Sequence, residues 1–475
     1  MWKARFAIPD LLESLYFWIS SEFLTILGFV LALVLLAHLL RQQRSPTSTL
    51  AWLLTILLLP YVGVPLYLMF GGRKIRRLAS RKERVYLSHS GLRRIDFGAV
   101  ALQALRANRV PPPTQGNRVA LVAGGEEAYA RLVRMIDEAE RTIHVTTYIL
   151  GRDPVGESIL ARLAGRASEG VAVRLLLDDV GSWRVGRRFL TPLTAAGAQV
   201  AFFMPMLHLP FRGRTNLRNH RKIVVADERH ALTGGANLAS EYMGPTPDPR
   251  RWRDLSLILS GPAVRDLEEL FRSDWKFATG EDLGSPEPRA FAGTPADDVL
   301  AQVVASGPDV EGDPLYEALV SVIFAARRRF WVVTPYFVPD ELLTRALDLA
   351  GRRGVDVRLV VPARSNHLSA DLARGSYLRQ VHDAGGHVLL FEPVMLHAKA
   401  VVVDDDLAVI GSANMDMRSL FLNYEVAVFL YSRAQVEATA AWMRALMDEC
   451  KLGLPARSRT RELAENVVRL LAPLL

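Results

Sequence analysis

The sequence predicts an α/β protein of two similar lobes, each a mixed sheet flanked by helices, preceded by a two-helix transmembrane hairpin. The observations behind it are two uncharged apolar stretches near the N-terminus, a helix-and-strand pattern written twice over the remainder, and one His-x-Lys motif in each copy.

Length and composition set the bounds. At 475 residues the chain exceeds one ordinary domain and suffices for two sizeable cores. Half of it is hydrophobic, and a mean hydropathy of +0.14 is high for a purely soluble enzyme. The single cysteine, Cys450, excludes an intramolecular disulfide and any cysteine-based zinc site, and reads as a small apolar filler near a helix end. Lysine and arginine number 58 against 50 acidic residues, which favours anionic partners, either lipid headgroups or nucleic acid.

The hairpin is expected within residues 1–72. Residues 23–40 (FLTILGFVLALVLLAHLL) and 50–70 (LAWLLTILLLPYVGVPLYLMF) carry no formal charge. Each is about twenty residues, the length a helix needs to cross the hydrocarbon. Pro60 and Pro65 kink the second helix, which membrane helices tolerate where neighbours satisfy the freed backbone groups. Trp18, Trp52, Tyr61 and Tyr67 suit the interfacial belts. A cleaved signal peptide is disfavoured by the length of the first stretch, the lack of a small-residue cleavage site and the second stretch that follows at once. Nine basic residues against Glu83 alone lie between Arg73 and Arg94, so this flank is expected on the cytoplasmic side. Lys3 and Arg5 agree; Arg41 and Arg44 in the connecting loop pull the other way but are fewer. The basic run also attracts anionic lipid, at about 1 kcal/mol per residue near the surface.

Residues 73–116 read as a basic juxtamembrane linker ending in a proline-rich run. The first lobe is expected over residues 117–280 and the second over 301–455, joined by a Pro/Gly/acid-rich linker at 281–300. Residues 126–150 (EEAYARLVRMIDEAERTIHVTTYIL) and 313–338 (DPLYEALVSVIFAARRRFWVVTPYFV) both run from an amphipathic helix through arginine into a β-branched, aromatic strand. GVAVRLLLDD pairs with GVDVRLVVP, and AAGAQVAFF with DAGGHVLLF. Such repetition implies two like lobes. The amphipathic C-terminal segment, 456–475, either lies on the bilayer or caps the second lobe.

The chemistry sits at matching places. His220-Arg221-Lys222, Asp227 and Gly234-Gly235-Ala236-Asn237 share their spacing with His397-Ala398-Lys399, Asp404 and Gly411-Ser412-Ala413-Asn414. Valines between lysine and aspartate read as strand, where His and Lys at i and i+2 share a face. The small pair lets backbone approach a ligand, and asparagine donates to an oxyanion. Two histidines, two lysines and two asparagines supply a nucleophile, a proton donor and phosphate-binding groups with no metal or other cofactor. No other metal-ligand cluster is evident. His144 sits in an expected strand and His230 in an exposed stretch beyond the first motif; His208 reads as packing or surface ahead of lining a lipid entrance.

This doubled pattern resembles that of the phospholipase D superfamily over roughly residues 117–454, and in finer detail the bacterial cardiolipin synthases. The finer matches are Asn216-Leu217-Arg218-Asn219 before His220, Glu241-Tyr242, Trp252-Arg253-Asp254, residues 334–340 (TPYFVPD), Asn414-Met415-Asp416-Met417-Arg418-Ser419 and Asn423-Tyr424-Glu425. The resemblance implies a phosphatidyltransferase that joins two phosphatidylglycerols through a phosphohistidine, releasing glycerol. His220 is expected as nucleophile and His397 as acid and then base, although the near-symmetric sequence also admits the exchanged roles. Lys222, Lys399, Asn237 and Asn414, helped by Ser412, are expected on the phosphoryl oxygens. Asp254 and Glu425, a similar distance after the two motifs, are read in that order as the carboxylates orienting His220 and His397. Asp227 and Asp404 close the catalytic motifs and are expected to fix a turn. The implied partners are phosphatidylglycerol, other anionic phospholipids and the membrane. The implied location is a bacterial cell membrane, multi-pass, with the lobes on the cytoplasmic side. A hydrolytic phospholipase D uses the same residues, and an inactive membrane scaffold belongs to a different class that the intact motifs argue against. No interleaved aromatic-basic stretch suggests nucleic acid.

Overall fold

The computed structural model describes residues 100–205, 217–286 and 298–454, together with residues 30, 33–35, 46–59, 61–64, 67 and 465. It divides into two compact units, residues 1–72 with 470–475, and residues 73–469.

In the first unit the described helix Pro46–Leu58 stops two residues short of Pro60, because a proline disfavours helix in the residue before it. The Leu59 amide donates to the Thr55 carbonyl, and the Leu59 carbonyl accepts from the Val62 and Gly63 amides; residues 61–64 are helical again. Trp52 and Tyr67 meet edge to face at 5.2 Å. Pro60, Pro65 and the end of the second expected span lie outside the described residues. Most of the first lies outside the described residues, and no described helix is long and apolar enough to cross a membrane.

The second unit is built on the expected duplication. Outward from the middle, the first lobe's strands run Thr114–Val122, Ser256–Ser260, His230–Gly234, Ile223–Ala226, Thr142–Thr147, Ala172–Asp178 and Gln199–Phe203. The second lobe repeats that order with Val299–Ser306, Glu425–Leu430, Leu407–Gly411, Ala400–Val403, Arg329–Val333, Asp356–Pro362 and His387–Phe391, and adds Cys450–Leu452. The three outermost repeated strands of each lobe are parallel, and runs such as RFWVV and HVLLF are the apolar stretches that buried parallel strands require. The helix Gly125–Asp137 shows how the sequence dictates helix packing. Its Ala128, Tyr129, Leu132, Met135 and Ile136 fall on one stripe and are buried.

The lobes are less separate than the sequence suggests. Thr114–Val122 pairs antiparallel with Val299–Ser306, which fuses the two sheets into one of fifteen strands among the described residues. Leu259, Val264 and Leu267 from one lobe share a core with Val303, Ile410 and Met443 from the other. The register shifts between Thr114 and Asn117. There the buried Asn117 side chain donates to the Thr114 and Val299 carbonyls and accepts from the Ala263 amide. The expected 73–116 linker also contributes structure. Helix Val100–Ala107 buries Ala101 and Leu105 in the second lobe's core, and Gln302 donates to the Pro111 carbonyl at 2.6 Å. Of the C-terminal segment only Glu465 is described; it is buried and pairs with Arg379 at 2.8 Å.

Candidate active site

His220 and Lys222 immediately precede Ile223–Ala226, and His397 and Lys399 immediately precede Ala400–Val403. Each run is extended and bridges in parallel to the other lobe, Asn219 to Tyr424 and Leu396 to Arg253. The His220 amide donates to the Tyr424 carbonyl at 2.9 Å and the His397 amide to the Arg253 carbonyl at 2.8 Å. Asp254 follows Arg253 and Glu425 follows Tyr424, so these bridges carry each carboxylate across the lobe boundary.

The carboxylate pairing is consequently the reverse of the order read from the sequence. His220 Nδ1 lies 3.0 and 3.1 Å from the two oxygens of Glu425. His397 Nδ1 lies 2.7 Å from Asp254 Oδ2. A carboxylate ion only accepts, so each Nδ1 donates and each Nε2 keeps its lone pair. Both imidazoles are walled by aromatic rings from the first lobe. Tyr148 meets His220 edge-on at 4.9 Å, and Tyr242 and Trp252 stand 5.0 and 5.6 Å from His397.

Electrostatics bind the two halves into one site. Burial lowers the His220 pKa to about 4, with Lys222 and Lys399 adding to the shift against Glu425. Burial followed by Lys399 takes His397 to about 3; the Lys399 ammonium is 2.7 Å from its Nδ1 and 3.1 Å from its Nε2. Lys222 also lowers His397, so each lobe's lysine is felt by the other lobe's histidine. Burial lowers Lys399 to about 8 and pushes Lys222 well down. Burial works against the charges of Asp254 and Glu425, but the neighbouring histidines and lysines outweigh it and hold both below the usual carboxylate range.

The remaining expected residues fall into two groups. Asp227 and Asp404 face away from the imidazoles, at the far ends of their strands. Asp227 accepts from the Glu140, Arg141 and Thr142 amides at 2.8, 2.7 and 2.9 Å. Asp404 accepts from Arg327, Arg328 and Arg329 at 3.0, 2.8 and 3.0 Å. Both take positive φ, 53° and 48°, which aspartate tolerates better than most residues. Geometry therefore puts them in the frame, bonded to backbone amides and not to the imidazoles. Ser412 likewise turns inward. Its hydroxyl donates to Glu425 Oε2 at 2.5 Å and accepts from the Val426 amide. Its counterpart Gly235 has no room for a side chain, because a Cβ there would sit 2.1 Å from Asp254 Oδ1. Asn237 accepts from the Ile149 amide and bonds Tyr242; Asn414 donates to the Ser419 hydroxyl at 3.1 Å.

One group was not found from the sequence. Arg221, between His220 and Lys222, is fully buried. It donates to Asp274 at 2.7 Å, to the Glu425 carbonyl at 3.1 Å, and to the Ser306 carbonyl and Asp309 at 3.3 and 3.4 Å. It thus fastens the first lobe's motif to the second lobe's carboxylate strand. Strand alternation supplied a signal, since the residue between His220 and Lys222 faces the opposite side and a buried arginine there demands acids.

Two motif-bearing lobes on one sheet, with imidazoles and carboxylates exchanged across their boundary, define a duplicated phosphoryl-transfer fold. Comparison with known proteins places it more narrowly. The model of the cardiolipin synthase, phospholipase D-like domain matches residues 132–275 and 319–447, and that of the phospholipase D-nuclease N-terminal region matches residues 30–72. The chain belongs to the phospholipase D-like cardiolipin synthase family. It is 36% identical to a cardiolipin synthase of Geobacillus kaustophilus, over 91% of this chain and 90% of that one. It is 33% identical to cardiolipin synthase 1 of Bacillus anthracis over the same shares. Among solved structures, phosphatidylserine synthase of Haemophilus influenzae shares the fold, with a TM-score of 0.58 at 15% identity over 78% of this chain and 97% of that one.

Proposed function

We propose that the enzyme joins two phosphatidylglycerol molecules into cardiolipin and releases glycerol, with His220 as nucleophile. The observation that carries this reading is the pair of buried imidazoles, each holding Nδ1–H on a carboxylate of the other lobe. Two catalytic bases suit a reaction in two displacements.

His220 Nε2 attacks phosphorus, and the bond from phosphorus to the glycerol oxygen breaks. His397 gives that oxygen its proton. The hydroxyl of a second phosphatidylglycerol then attacks the phosphatidyl-His220 phosphorus while His397 takes its proton, and the P–N bond breaks. Lys222, Lys399, Asn237 and Asn414 hold the non-bridging oxygens. Asp254 has fewer competing donors than Glu425, accepting only from His397 and the Leu255 amide among its described hydrogen bonds, and lies nearer its imidazole. That favours the proton-carrying role for His397. Glu425, held also by Ser412 and Asn423, favours a fixed tautomer for His220.

Charge balance explains how a histidine with so low a pKa gains a proton. With both imidazoles neutral and both lysines taken as ammonium, Lys222 and Lys399 cancel Asp254 and Glu425. A phosphodiester brings one negative charge, and uptake of one proton by an imidazole restores neutrality.

Residues 23–40 and 50–70 anchor the chain in a bacterial cell membrane as two spans. The basic run at 73–94 keeps the catalytic lobes on the cytoplasmic side, facing anionic phospholipid and not nucleic acid. Apolar length, the positive flank and the N-terminal family match support this. The test is the purified protein in detergent with labelled phosphatidylglycerol. Cardiolipin and glycerol in equal amounts are expected without nucleotide. Phosphatidic acid as the product would make it a hydrolase, and a strict need for CDP-diacylglycerol would sink the mechanism.

A further inference from the structure

Two large apolar side chains stand in the open on counterpart segments of the two lobes. Trp183 is 67% exposed and lies just past Ala172–Asp178; Leu368 is 75% exposed and lies just past the counterpart strand Asp356–Pro362. Scattered exposed hydrophobics are normal on any protein. Anchoring, placement and charge set these apart.

The loop that raises Trp183 is tightly held. Buried Asp178 accepts from the Val180 and Gly181 amides at 3.0 Å each. Ser182 donates to the Tyr148 carbonyl at 3.0 Å and accepts from the Leu150 amide at 3.1 Å. The same anchors serve the reaction centre, since Asp178 also accepts from the Asn219 amide at 2.8 Å, next to His220, and Tyr148 walls His220. In the second lobe the counterpart tyrosine, Tyr336, donates to Asn366 and meets His367, the neighbour of Leu368, at 5.5 Å with the rings tilted by 51°. Burial, then Asp416 and in smaller part Tyr148 push the Tyr336 phenol up, so the two tyrosines lie within electrostatic range. Both apolar residues therefore flank one site.

Charge completes the pattern. Residues 180–196 contain no acid and carry Arg184, Arg187 and Arg188, all exposed; Arg364 is exposed beside Leu368. Among the described residues none of these four makes an ion pair, and Arg184 lies over the Trp183 ring at 5.2 Å. Tryptophan and arginine are a pair suited to the headgroup level of a bilayer.

We propose that Trp183 and Leu368, with Arg184, Arg187, Arg188 and Arg364, form a rim on the catalytic unit that docks onto an anionic lipid surface and presents the site to lipid lying in it. The proposal rests on the lipid-substrate reading above and adds a contact independent of the N-terminal anchor.

The full-length enzyme in phosphatidylcholine nanodiscs tests it with two substrates, long-chain phosphatidylglycerol in the disc and short-chain phosphatidylglycerol dissolved below its micelle concentration. The Trp183→Ser/Leu368→Ser variant should lose about tenfold in kcat/KM on the disc substrate and stay within about twofold on the dissolved one. Equal losses on both, or none on either, would overturn the rim. A separate arm reads binding alone. A polarity-sensitive label at Trp183→Cys, in a Cys450→Ser background, should shift to an apolar environment and be quenched by brominated lipid in anionic discs. The shift should shrink when Arg184, Arg187 and Arg188 are all changed to Gln. A label that stays in water overturns the rim whatever the enzyme makes. A buried label without cardiolipin keeps the rim and sinks the activity reading instead.

Discussion

The first and second lobes place the same strands in the same order and the same histidine, lysine and asparagine at the same spacing. They differ beside the chemistry. Arg221 stands where the second lobe has Ala398, Gly235 where it has Ser412, and the Asn237 side chain meets Tyr242 where Asn414 meets Ser419. Duplication supplies two near-equal imidazoles, and the exchanged carboxylates leave neither lobe with a complete histidine pair of its own. In the proposed mechanism these local differences are what divide the roles, one imidazole a fixed nucleophile and the other a proton carrier.

The comparison breaks first at the crossed pairs. Glu425→Gln and Asp254→Asn should each lower kcat by roughly 10³- to 10⁴-fold, the scale seen when a triad carboxylate is neutralised. In double-mutant cycles His220→Asn should couple strongly to Glu425→Gln and weakly to Asp254→Asn. The reverse coupling would restore the uncrossed arrangement.

Arg221 tests the largest difference between the lobes. Arg221→Met leaves Asp274 buried without its guanidinium, and should destabilise the folded enzyme by about 3–5 kcal/mol in a denaturant titration. Ala398, its counterpart, is also buried but among apolar groups, so Ala398→Gly should cost only about 1 kcal/mol.

Smaller effects sharpen the contrast. Ser412→Gly gives the second lobe the first lobe's residue and should cost about 1.5–3 kcal/mol in kcat/KM, the range for a hydrogen bond to a charged group. The pH profile reads Lys399. Its pKa of about 8 means that the ammonium is present below that pH and lost above it, so kcat/KM should fall as pH rises through about 8. Lys399→Arg, if active, should lack that fall, because arginine keeps its charge.

Much of this was legible in the chain. The repeat survives as strand order because βα periodicity depends on local apolar spacing, and His220, Lys222, His397 and Lys399 come within electrostatic range because equal lobes put equal positions at their boundary. The carboxylate pairing was not legible. Sequence distance suggests that Asp254 serves His220, whereas the bridges Asn219–Tyr424 and Leu396–Arg253 are contacts between strands far apart in sequence. The Ser412 contact with Glu425 was hidden for a related reason, since Gly411 pairs with Ala427 and so brings the Ser412 hydroxyl beside Glu425. The structured end of the basic linker follows from Leu105 finding the second lobe's core.

The claim on which the rest stands is that one phosphorus passes between His220 and a second lipid while His397 moves the proton. Intact-protein mass spectrometry of enzyme quenched with a phosphatidyl ester of p-nitrophenol, whose leaving group needs no acid, reads it directly. The His397→Ala variant should accumulate a phosphatidyl adduct mapped to His220, and His220→Ala should accumulate none. An adduct on His397 in the His220→Ala variant, with none on His220 in the His397→Ala variant, would contradict the account.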